Sequence, residues 1–144
     1  MRLLPLLLAS ALATSGCLPT AAPTQAEAQS QSPRAGQLVN EWVYDSVKFF
    51  NTDGSPKAGS GGSGTLTFKA DGTFEQHLRI GEFNNDIEGT YQVTGPGQMT
   101  WRFSWGGRDE TPSYTFAFEG DRLKLETDTT GGKARYELIP KASR

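Results

Sequence analysis

One cysteine and one histidine are all the thiol and imidazole that 144 residues contain, and each scarcity removes a class of chemistry. A lone thiol closes no disulfide within the chain. A lone histidine builds no Cys/His metal cluster, and NTDGS (51–55) lacks the carboxylate ladder and terminal Glu of a calcium loop, so neither a metal nor another cofactor is expected. Charge of one sign is missing as well: 14 basic residues face 16 acidic ones, for a net charge of -2, with no block of either. Lys69, Arg79, Arg102 and Arg108 are scattered among acids without an aromatic platform beside them, which argues against nucleic acid as a partner. No apolar run approaches the twenty residues of a membrane-spanning helix.

What the chain does have is 17 glycines, 8 prolines and aromatics concentrated in its second half, a composition suited to one turn-rich β domain behind a processed leader. The leader opens with Met1-Arg2 and continues through LLPLLLASALA, the charge pattern and length of a secretory signal. Thr14, Ser15 and Gly16 then precede Cys17. A run of small residues ending in cysteine resembles the lipobox of bacterial lipoproteins, with Thr14 where an aliphatic residue is usual. The resemblance implies a signal peptide over 1–16, cleavage before Cys17, and diacylglycerol plus a further acyl chain such as palmitate on that residue. Two or three such chains hold a protein at a membrane almost permanently, whereas one binds marginally. The alternatives are an ordinary signal cleaved after Ala13 or Ala28, with Cys17 a passenger, or a structural free cysteine.

From Cys17 to Gly36 the chain has three prolines, no aromatic residue and neither a period of two nor of 3.6, so 17–36 is expected to be a flexible, disordered tether. From residue 37 to 144 period two dominates. TLTFK (65–69), TFEQHLRI (73–80), IEGTYQV (87–93), MTWRFSW (99–105), SYTFAF (113–118), RLKLET (122–127) and KARYELI (133–139) each alternate apolar with polar positions. A first strand around Trp42–Val47 makes eight. Ala70-Asp71-Gly72, Gly95-Pro96-Gly97, Glu119-Gly120-Asp121 and 128–132 carry hairpin chemistry, so neighbouring strands are expected to be antiparallel. The fold class is all-β, an eight-stranded up-and-down meander closed into a barrel.

The alternation directs Trp42, Tyr44, Phe68, Phe74, Tyr91, Trp101, Phe103, Trp105, Tyr114, Phe116, Phe118 and Tyr136 inward, with Gln76 among them as a core hydrogen-bonder. An interior lined with rings suits a small apolar ligand, for which Trp42, Tyr44, Phe74, Tyr91, Trp101, Phe103, Phe116 and Tyr136 are the candidate contacts. Eight strands also make a barrel that side chains alone can fill. In the first case a cavity of several hundred Å³, roughly the size of a small-molecule site, opens beside residues 49–64. In the second the rings meet without a void.

LVNEW (38–42), GTLTFKADGTF (64–74), GTY (89–91), GDRLKLET (120–127) and RYEL (135–138) together resemble small bacterial lipocalin-like domains over 37–141. The resemblance implies a barrel of the calycin type with a Trp closing its base beneath an Arg; Trp42 takes the first part, and Arg135 is the candidate for the second although its parity points outward. GSPKAGSGGSG (54–64) is no phosphate loop, since no Lys-Ser/Thr ends it and a strand follows. With Phe49 and Phe50 before it, the 51–64 segment is either a lid at the mouth or a solvated, disordered excursion.

No catalytic set emerges. His77 falls on the outer face between Glu75 and Arg79, so a hydrolytic triad has no buried base. Asp86 with Glu88 and Asp109 with Glu110 flank loops, where nothing raises a carboxyl pKa for general-acid work. The expectation is therefore a non-enzymatic, membrane-anchored lipoprotein of the cell envelope whose barrel binds a small apolar ligand or serves as a packed module. The rival is a protein-interaction module, for instance an inhibitor of a cell-wall hydrolase, using WGGRDETP (105–112) with Arg108 directed at an envelope protein partner. Leu18 stands where Asp would retain a lipoprotein at an inner membrane, which resembles sorting to the periplasmic side of an outer membrane; in a host with one membrane the domain faces outward.

Overall fold

Eight antiparallel strands close into a barrel and a ninth, three-residue strand extends one hairpin beyond the wall. The computed structural model describes residues 35–59 and 61–143; Cys17, the 1–16 leader, the tether to residue 34 and Ser60 lie outside the described residues. A short helix, α1 (Ala35–Leu38), leads into β1 (Asn40–Asn51), followed by β2 (Ser63–Phe68), β3 (Thr73–Ile80), β4 (Phe83–Gly95), β5 (Gln98–Trp105), β6 (Arg108–Glu110), β7 (Ser113–Glu119), β8 (Arg122–Thr129) and β9 (Gly132–Pro140), with a 3-10 turn at Lys141–Ser143. Each wall strand pairs with its neighbours in chain order, β7 meets β5 across β6, and β9 returns to β1. Closure leaves no free edge along most of the wall.

The strands form where apolar residues alternate, and three of them run further than alternation alone indicates. β1 continues past Val47 through Phe49 and Phe50, which pair with Ala134 and Lys133. These two residues are therefore wall, not the beginning of a lid; the connection that follows occupies 52–62. β4 starts at Phe83, four residues before Ile87, because Gly81-Glu82 makes a two-residue hairpin with Ile80 opposite Phe83. Beyond Trp105, Gly106 and Gly107 take positive φ of 60° and 80° and turn the chain back as β6, so 105–112 is a hairpin rather than an irregular loop. Pro112 separates β6 from β7 while its carbonyl still accepts from the Trp101 N–H at 3.0 Å.

One end of the barrel is plugged. Leu38 of α1 is fully buried, and its carbonyl accepts the Trp42 indole N–H at 2.9 Å. The ends of β3, β5 and β8 and the 52–62 connection lie at the opposite end, the mouth. In β1 the pairing with β9 jumps from Tyr44 to Ser46, a bulge at Asp45 that resets the alternation so that Val47 follows Tyr44 into the core. Among the described residues no helix is long and apolar enough to cross a membrane.

Candidate functional site

The interior is organised around Trp101 of β5. Its indole stacks on Tyr114 with ring centres 4.2 Å apart, lies 4.4 Å from Phe74 and meets Phe68 edge-on at 5.8 Å. Phe68 in turn contacts Tyr91 at 4.8 Å, and Phe74 contacts Phe103 at 6.3 Å. Trp42 joins Phe116 through Phe118 at centre distances of 6.1 and 6.2 Å, and Tyr44 meets Tyr136 edge-on at 5.8 Å. These separations are those of rings in direct contact. The eight candidate ligand contacts are thus drawn into three groups: Phe74, Tyr91, Trp101 and Phe103; Trp42 and Phe116; Tyr44 and Tyr136.

The polar handles of Trp42, Tyr44, Tyr91 and Trp101 have partners inside the protein. Tyr44 donates to Gln76 Oε1 at 2.8 Å, Tyr91 to the Lys69 carbonyl at 2.8 Å, and the Trp101 N–H to Met99 Sδ at 3.1 Å. Gln76 is buried, as its parity on β3 requires. No buried side-chain nitrogen or oxygen among the described residues lacks a partner. Burial raises the Tyr44 and Tyr114 phenols far above the ordinary 10.0 and pushes Tyr136 up to about 12, so all three stay neutral in the fold.

Trp105 departs from its expected place. It keeps the parity of Phe103 but is 63% exposed, because the β4–β5 ladder ends at Gly89 opposite Phe103 and no β4 residue pairs beside Trp105. Arg135 stays on the outer face, where it grips both sides of the problem posed by its charge: Nε and Nη2 donate to Glu126 Oε2 at 3.0 and 2.9 Å, and its guanidinium lies 4.9 Å from the centre of the Phe50 ring. It does not cover Trp42, whose ring neighbour is Phe118. His77 is exposed and faces Asp86 across the β3–β4 pair, Nδ1 to Oδ1 3.1 Å.

A groove of about 410 Å³ does lie beside the 49–64 segment, but on the outside, lined by Phe50, Asn51, Thr52, Asp128, Lys133 and Arg135 among others. None of the eight candidate ring contacts lines it. Tyr91 and Phe116 border two other outer grooves, of about 530 and 220 Å³. The alternation did not single out Leu38, which plugs the base, or Phe83, which is 80% exposed beside the β3–β4 turn. Leu38 precedes the first strand and Phe83 sits where FNND breaks the two-residue period, so neither carries an alternation signal.

No family model matches the chain, and neither a curated protein nor a solved structure matches it.

Proposed function

We propose that the protein is a lipid-anchored, non-enzymatic module of the cell envelope whose ring-packed barrel holds an exposed hairpin against another protein. The observation that carries this reading is the division of the aromatic residues. The interior rings satisfy one another at contact distances, while Trp105, with Arg108 opposite it across the β5–β6 hairpin, stands in solvent. An exposed Trp beside an Arg is the composition of a protein-binding hot spot. Arg108 makes no salt bridge among the described residues, so its charge is available to an acidic surface. The contacts among the interior rings weigh against the carrier reading, in which the same rings enclose a small apolar ligand.

Three experiments test the proposal. Native mass spectrometry of the full chain purified from its own host is expected to give the polypeptide with its acyl groups and no further apolar mass; a stoichiometric apolar adduct would transfer the function to ligand carriage. For the anchor, radiolabelled palmitate is expected in the wild type and absent from Cys17→Ala, and equal labelling of both would remove the anchor from the proposal. The hairpin's part is checked by Trp105→Ala/Arg108→Ala, which should keep the wild-type melting temperature and lose any partner that the wild type retains.

A further inference from the structure

The barrel wall is incomplete at the mouth. Above the pair Gly89–Phe103, β5 leaves β4 while keeping β6 on its other side, so the stretch 83–88 of β4 is paired with β3 alone. The direction of its free main-chain groups follows from one hydrogen bond. The Tyr91 N–H donates to the Gly72 carbonyl, on the β3 side, at 2.9 Å. Alternation along β4 therefore turns the N–H and C=O of Asp86 and Asn84, and the N–H of Glu88, to the opposite side, where no strand of the described residues pairs with them; the Glu88 carbonyl closes the ladder beside the Gly89–Phe103 pair. A row of unpaired donors and acceptors on an extended strand is a template for another strand.

The side chains flanking this edge state what would pair with it. On the outer face Asn84, Asp86 and Glu88 are exposed, and Asp109 lies on the same face of the neighbouring hairpin, bonded at 2.5 Å by the Ser104 hydroxyl. Glu88 makes no salt bridge among the described residues, and the partner of Asp86 is His77. On the inner face stand Phe83, Ile87, Phe103 and Trp105, two of them largely exposed although they carry the parity of the core. The edge thus offers carboxylates to one side of a guest strand and rings to the other. It also opposes a second copy of itself, since antiparallel pairing of two such edges brings acid against acid.

We propose that residues 84–88 of β4 accept an extended segment of a partner protein whose side chains alternate apolar and basic, adding a strand to the open wall. The guest's main chain takes the free groups of Asn84, Asp86 and Glu88, its apolar side chains cover Phe83 and Trp105, and its Lys or Arg side chains meet Asp86 and Glu88. This deepens the reading of the barrel as a protein-binding module and rests on it, but it uses the β4 edge rather than Arg108.

The probe is a blocked hexapeptide of alternating Val and Lys, compared with its Val/Glu counterpart, on the full chain at low ionic strength. The expected result is at least tenfold tighter binding of the Lys peptide, with amide exchange slowed at least tenfold at Asn84, Asp86 and Glu88. Asp86→Lys/Glu88→Lys should invert the preference while leaving the far-ultraviolet spectrum unchanged. Equal affinities, no binding of either peptide, or protection confined to other strands would overturn the proposal. Protection of the same three amides in the free protein, growing with its concentration, would assign the edge to self-association and overturn it as well. Peptide binding that survives Arg108→Ala keeps the β4 edge even if the hairpin captures no partner; partner capture with no peptide binding rejects the edge alone.

Discussion

Tyr44 and Gln76 show how a polar pair can sit inside a ring-packed barrel at small cost. The phenol is fully desolvated and donates to the amide oxygen at 2.8 Å, so neither group is left unmet. Removing one partner exposes the other to an apolar interior, which costs roughly 1–3 kcal/mol, whereas removing both can come close to neutral. Gln76→Leu and Tyr44→Phe are each expected to lower the unfolding free energy by about that amount. Tyr44→Phe/Gln76→Leu should lose less than the sum of the two, measured by urea unfolding as a double-mutant cycle. Strict additivity would mean that the hydrogen bond contributes nothing. Trp101 sets the other extreme: with rings on both faces, Trp101→Ala should cost about 3–5 kcal/mol through the void it leaves.

At the scale of elements, the last β4–β5 contact before the strands part depends on one missing side chain. A Cβ on Gly89 would stand 2.1 Å from the Arg102 carbonyl oxygen and 2.9 Å from Phe103 Cβ. Gly89→Ala must therefore push β5 away from β4, extending the opening at the mouth downward. Its expected cost is at least the roughly 1–3 kcal/mol of an overpacked site, with amide exchange accelerated at Thr90 and Arg102, the pair just below. Unchanged exchange there would show that the backbone accommodates the methyl group elsewhere. Much of this architecture is legible in the sequence, because a half-buried strand must alternate: all eight wall strands, their order and the inward turn of Gln76 follow from period two and from glycine-bearing turns. The remainder is silent for physical reasons. β6 is Arg-Asp-Glu, three exposed residues with no apolar member to alternate. The Asp45 bulge is decided by the register between β1 and β9, not by either strand alone. Trp105 has the right parity but lies beyond the last β4–β5 pair, and parity says which face a residue takes, not whether the wall extends far enough to bury it.

For the whole molecule, burying three tyrosines in one core ties stability to alkaline pH. Tyr44, Tyr114 and Tyr136 are held neutral chiefly by desolvation, and the first two also by their neighbouring phenols. Below pH 10, the ordinary phenol value, folded and unfolded chains are protonated alike and these groups add no pH dependence. Above it the unfolded chain releases protons that the fold retains, so stability falls as pH rises, through about 12 for Tyr136 and further for the other two. Each such phenol removes about 1.4 kcal/mol per pH unit inside its window, and three together about 4. Against a total stability of about 5–15 kcal/mol for a typical domain, that is enough to unfold the barrel within one to a few pH units. The expected record is a 295 nm absorbance step from the buried phenols that coincides with loss of the far-ultraviolet β signal. Tyr136→Phe should reduce the slope of stability against pH between 10 and 12 by about one proton. Ionisation of all the phenols ahead of any change in the β signal would mean that base reaches them in the folded barrel, and so that water enters the ring-packed interior without the wall coming apart.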